Sequence, residues 1–167
     1  KSSIVKLGTE YSTNRMVKDY MEMFYKKASV NSQKMISDDC SLLKEFHEWN
    51  HLLKSNWKEI EFKGIEHPDS ELLRRSEEVQ IGVRVKLGNI LPEHVKVEVF
   101  YGRLTDEGKF TSGEGKMMDL SSSDGNEAYF KKKISFSYGG RCGYQFRVLP
   151  RHEYLASQFI PGFISWS

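Results

Sequence analysis

His47-Glu48-Trp49-Asn50-His51 carries the sharpest catalytic signature in the chain. Two histidines four apart share one helical face, the spacing of paired metal ligands. Glu48 stands where a metalloprotease of the H-E-x-x-H type keeps its general base. Such a site also needs a third ligand from elsewhere in the fold, and no downstream helix offers a Glu or His for it. Leu43, Phe46, Trp49 and Leu53 flank the pair, so this face is expected to border a packed surface. A metal hydrolase on His47, Glu48 and His51 is the weakest of three functional readings.

Other reactive residues are thinner still. Neither a G-x-G-x-x-G nor a G-x-x-x-x-G-K-[ST] phosphate cradle is present, and Gly113-Glu114-Gly115 reads as a turn. Asp38-Asp39 and Glu77-Glu78 are adjacent pairs whose carboxylates point apart, so they are read as caps and solvated faces. Cys40 and Cys142 have no C-x-x-C partner and no histidine at ligand spacing, which fits two free thiols in a cytosolic protein. Lys131-Lys132-Lys133 follows Tyr129 and Phe130; this run is read as a guard on the wet side of a strand rather than an RNA contact. Trp49, Trp57, Trp166, Tyr101, Tyr129, Tyr138 and Tyr144 could stack on sugar rings, but aromatics more often fill cores. No catalytic, cofactor-binding or metal residue is assigned on these grounds.

Composition narrows the classes further. The 167 residues carry a net charge of +2, with a mean hydropathy of −0.57. Residues 1–63 hold a net +2 and residues 64–167 are neutral, so neither half has a nucleic-acid footprint. No window approaches 18 consecutive apolar residues. The opening Lys1-Ser2-Ser3-Ile4-Val5-Lys6-Leu7-Gly8 is too short and polar for a signal sequence. The chain lacks an initiator Met, as expected of a piece excised from a longer protein, and a cytoplasmic location is expected.

Two kinds of periodicity position these residues. Ser12-Thr13-Asn14 offers N-caps, and Met16, Val17, Tyr20, Met23 and Phe24 line one helical face. A helix is predicted from about Thr13 to Lys27, then a loop over Ala28–Ser37. A second helix is predicted over about Asp39–Glu59, on the stripe Leu42, Phe46, Trp49, Leu53 and Ile60. Beyond Gly64 and Pro68-Asp69 the period changes from 3.6 to 2. Val79, Ile81, Val83 and Val85 alternate with polar residues, as do Val95, Val97 and Val99, then Ala128, Phe130 and Ile134, then Tyr144, Phe146 and Val148. Phe110–Leu120 is a weaker strand region, Ser121–Asn126 reads as a polar loop, and Ile164 and Trp166 suggest a last edge strand. About seven strands with regular turns predict an α+β chain. Two main helices in residues 1–63 precede an antiparallel immunoglobulin-like β-sandwich in residues 64–167.

The last third also carries a phrase with wider resonance. Gly143-Tyr144-Gln145-Phe146-Arg147-Val148-Leu149-Pro150-Arg151-His152, closing on Pro161-Gly162-Phe163-Ile164-Ser165-Trp166-Ser167, resembles the C-terminus of short-type bacterial and archaeal α-glucan phosphorylases. Leu91-Pro92-Glu93-His94-Val95-Lys96-Val97-Glu98-Val99-Phe100-Tyr101-Gly102 and Tyr11-Ser12-Thr13-Asn14-Arg15-Met16-Val17 resemble two further segments of that family. One departure is Glu153, where the family often has Pro. The resemblance implies a parent enzyme that cleaves terminal α-1,4-glucosidic bonds with phosphate, releasing glucose 1-phosphate. Its pyridoxal phosphate would sit on a lysine in an SGTSGMKA-type motif expected just before Lys1. No functional residue of the family transfers to this chain, so a non-catalytic C-terminal fragment is expected. Its expected partner is the upstream catalytic domains, with α-glucan and a second copy as further candidates. The second functional reading is a glucan-binding or protein-interaction module.

Overall fold

The computed structural model describes residues 13–37, 40–67, 77–137, 139–155 and 157–167. The Asp38-Asp39 caps, the Pro68-Asp69 break and Tyr138 lie outside the described residues. The chain divides into two compact units, Lys1–Glu48 and Trp49–Ser167.

The first unit holds α1 (Thr13–Tyr20), a π-helical turn (Met21–Tyr25) and α2 (Lys26–Ile36). Helical torsions at Tyr20 and Tyr25 make these one continuous rod. The loop expected over residues 28–37 is therefore helix as far as Ile36. The expectation rested on the missing apolar stripe, but Lys26–Ile36 contains neither Gly nor Pro and needs no stripe to stay helical. The rod ends where Ser37 turns extended; its N–H donates to Gln33 O and its Oγ to Lys34 O. Met16, Val17, Tyr20, Met23 and Phe24 are all exposed, with the Tyr20 and Phe24 rings 5.7 Å apart.

Helix α3 (Ser41–Asn56) runs through the division between the units and ends in a 3-10 turn, Trp57–Glu59. Trp49, Leu53 and Trp57 recur every four residues and are buried.

Among its described residues the second unit then forms eight strands: β1 (Glu61–Glu66), β2 (Glu78–Lys86), β3 (Val95–Leu104), β4 (Phe110–Met117), β5 (Asp119–Asp124), β6 (Glu127–Ser135), β7 (Cys142–Pro150) and β8 (Ser165–Trp166). One sheet has the order β1-β2-β6-β5 and the other β4-β3-β7-β8, all pairs antiparallel. With β1 as A and β8 as G, this is the ABED/CFG arrangement of an immunoglobulin sandwich with one added strand. The core forms where the alternation placed it: Ile81, Val83 and Val85 face Val97, Val99, Phe146 and Val148 from the other sheet, with Ala128, Phe130 and Ile134 beside them.

Two local expectations fail for one reason. Gly113-Glu114-Gly115 is mid-strand in β4 and Ser121–Asp124 belongs to β5. These are edge strands held by backbone ladders with little apolar burial, so no hydrophobic alternation announces them.

Gly102 on β3 is fixed by close approach. A Cβ there would lie 1.9 Å from the Ser112 carbonyl oxygen. Gly102→Ala is expected to push β3 from β4 and cost about 2 kcal/mol. Urea unfolding checks this, and an unchanged midpoint would contradict the β3–β4 register.

Candidate functional site

The densest chemistry lies on the outer face of the second sheet. Val95, Val97, Val99 and Tyr101 of β3 enter the core, so Lys96, Glu98 and Phe100 point the other way. Glu98 pairs across the ladder with Arg147 of β7. Arg147 Nη2 lies 2.6 Å and Nε 2.7 Å from Glu98 Oε2, while Lys96 Nζ lies 2.5 Å from Oε1. Glu98 is only 3% exposed. Burial alone would raise its pKa, but hydrogen bonds and charge from Lys96 and Arg147 outweigh burial and hold the carboxyl below its ordinary value. The trio carries a net +1.

Aromatic rings enclose the guanidinium. Arg147 Cζ is 5.6 Å from the Phe100 ring centroid, 5.2 Å from Phe159 and 5.3 Å from Trp166. Such contacts stabilise a cation by about 0.5–2 kcal/mol each. Two glycines clear the floor beneath. A Cβ at Gly113 would meet the Phe100 ring at 2.7 Å, and one at Gly115 would meet Arg147 Nη2 at 2.9 Å. Phe100 meets Phe110 and Trp166 edge-on, at 76° and 88°. These rings are therefore not the coplanar pair that a long flat sugar platform uses.

Just beyond β7 the chain meets helix α3. His152 packs its ring 4.7 Å from Trp49, and its Nδ1 accepts the Tyr154 N–H. Phe163 meets Trp57 edge-on at 5.4 Å, and Asn89 Nδ2 donates to Asn56 Oδ1 at 3.0 Å. Arg151 N–H donates to His94 O.

A family profile of glycogen phosphorylase C-terminal domains matches residues 57–167. The chain belongs to this family. It is 30% identical to the maltodextrin phosphorylase of Thermococcus litoralis over 172 residues, an alignment covering 99% of this chain and 20% of that protein. It is 26% identical to the glycogen phosphorylases of Mycobacterium bovis and Mycobacterium tuberculosis over 164 residues, covering 95% of this chain and 19% of each relative. The chain thus spans about a fifth of the length of the curated relatives it matches.

In this glycogen phosphorylase C-terminal domain, the Arg147-Val148-Leu149-Pro150-Arg151-His152 phrase has a physical reading residue by residue. Arg147 neutralises Glu98, Val148 fills the core, Leu149 is fully buried on the opposite side, and His152 seats Trp49. The phrase joins the second sheet to the C-terminal half of α3.

The remaining sequence candidates disperse. His47, Glu48 and His51 are exposed on α3, and among the described residues no three His, Cys, Asp or Glu side chains gather as metal ligands. Cys40 and Cys142 are half-buried thiols. Lys131 and Lys133 face solvent, and Lys132 pairs with Asp119 at 3.0 Å. Tyr129 donates to Glu66 and lies under Arg84; Tyr101 is buried and donates to Glu114; Tyr144 shares a 2.7 Å hydrogen bond with His67. Trp49 and Trp57 are core residues, and among the described aromatic candidates Trp166, 47% exposed, presents its ring most openly to solvent. Sequence reading missed Phe159, 51% exposed, and the buried Glu98. A glycine pair inside a strand, at 113 and 115, was the available signal that bulky groups cross that face.

No helix among the described residues is long and apolar enough to cross a membrane.

Proposed function

We propose that this chain is the non-catalytic C-terminal region of a cytoplasmic enzyme of the α-glucan phosphorylase type. The profile match over residues 57–167, on a chain one fifth the length of its relatives, carries this reading. The parent would transfer a terminal α-1,4-linked glucosyl unit to inorganic phosphate, with pyridoxal phosphate held in the upstream catalytic domains; no residue of this chain is assigned to that cofactor. Residues 1–63 would close the catalytic region, and residues 64–167 would form the appended sandwich. The rod Thr13–Ile36 supports the division of labour. An isolated helix in water is marginal, and one that exposes Met16, Val17, Tyr20, Met23 and Phe24 calls for a covering surface. The upstream domains are the occupant this reading supplies.

The test compares this chain with the same chain extended upstream to the length of its relatives. Each is incubated with maltoheptaose and inorganic phosphate, and glucose 1-phosphate is measured. The extended protein is expected to release it and this chain to release none. Release by this chain alone, or none by the extended protein, overturns the proposal.

A further inference from the structure

The segment after β7 folds back beside the aromatic cluster and leaves a depression of about 400 Å³. That lies within the roughly 300–1,000 Å³ range of small-ligand sites. Arg151, His152, Ser157, Gln158 and Phe159 line it. We propose that this depression binds a neutral oligosaccharide, stacked on Phe159 and held by the polar groups around it. The choice of an α-1,4-glucan as the sugar rests on the function proposed above.

The polar groups are set in advance. Gln158 Oε1 accepts from Lys96 Nζ at 3.1 Å, which leaves its amide N–H groups to donate. Lys96 is itself fixed by buried Glu98. Ser157 Oγ accepts the Phe159 N–H at 3.2 Å, which leaves its hydroxyl proton to donate. Arg151 adds an exposed guanidinium. Phe159 contacts Arg147 and still exposes half its surface, so it presents an apolar platform beside these donors. Groups already held in place lose little freedom on binding.

Charge favours a polyol over an anion. Lys96 and Arg147 are both committed to Glu98. Among the described residues Arg151 is then the one uncommitted cation of the lining, and Glu153 stands two residues further on. A phosphate group would find a single guanidinium, whereas a sugar finds a ring to stack on and several neutral or planar donors.

The test titrates the 167-residue chain with maltoheptaose, following backbone amide resonances by NMR and tryptophan emission by fluorescence. Saturable shifts centred on Ser157, Gln158 and Phe159 are expected. Phe159→Ala should weaken binding roughly five- to tenfold, the loss of one stacking contact. Arg151→Ala, at an exposed position that leaves the fold intact, should weaken it as well. No saturable shift, binding indifferent to both variants, or displacement of the sugar by inorganic phosphate overturns the inference. If this chain ignores glucan while the extended protein still phosphorolyses it, this site fails and the proposed function stands.

Discussion

Replacing Glu98 by glutamine is expected to lower the melting temperature of the chain by about 5–10 °C. Glutamine keeps the shape and an acceptor oxygen but removes the charge that two cations face. Removing one partner of a fully buried ion pair costs about 3–5 kcal/mol. Here the side chains of Arg147 and Lys96 retain 15% and 22% exposure, so water recovers part of the loss and about 2–3 kcal/mol is the expected cost. For a chain of this length each kcal/mol moves the midpoint by about 2–4 °C. A double-mutant cycle with Arg147→Met isolates the pair: the double variant should be less destabilised than the two single variants combined, because neither charge is then left alone. Melting within about a degree of the parent would show that the cluster contributes nothing. The pH dependence follows from the lowered carboxyl pKa. A group depressed in the folded state stabilises it above the unfolded value and loses that contribution as pH falls through the folded value. The parent's advantage over Glu98→Gln should therefore shrink as pH drops below the ordinary value of 4.5.

Leu53→Ala should be the most damaging truncation on helix α3. Leu53 is 1% exposed and sits one turn from both Trp49 and Trp57. Deleting a buried leucine to alanine costs about 3–4 kcal/mol, because the lost transfer energy is joined by an unfilled cavity. That corresponds to a midpoint about 10 °C lower. The damage should also be local. Hydrogen exchange should accelerate in residues 151–155, because His152 is seated against Trp49. Leu53→Met, which nearly conserves volume, should cost about 1 kcal/mol or less. If Leu53→Ala loses no more than Leu53→Met, or residues 151–155 keep their protection, α3 is not the element that this segment rests on.

The sequence made the sandwich core legible because a sheet with one wet face writes its burial in a period of two. Ile81, Val83 and Val85 needed no further information. The edges were less legible. Ser121–Asp124 and Gly113–Gly115 pair through their backbones and bury little apolar side-chain surface, so the alternation fades where the sheet ends. Residues 28–36 are helical without a stripe, and only the absence of Gly and Pro pointed there. The site was harder still. Glu98 occupies a polar position in an alternating strand, which ordinarily reads as solvent-facing. Its burial depends on Arg147, brought opposite by the crossing of β3 and β7. Phe159 lies in an irregular segment with no period to flag it. The Arg147–His152 phrase was readable as a resemblance, but its work of joining sheet to helix became visible only once Trp49 was placed.

The crossed pairing of the sheets also sets a timetable. Val83 finds its partner in Phe130, and Val99 finds Phe146, roughly fifty residues along the chain in both cases. The central pair of each sheet therefore waits on the closure of a long loop, whereas the turns of α3 join near neighbours in microseconds or less. During biosynthesis β2 and β3 emerge well before β6 and β7, so until those strands follow each has a ladder partner on one edge alone, β1 for β2 and β4 for β3. In that interval their valine-rich faces are the surfaces most in need of a chaperone.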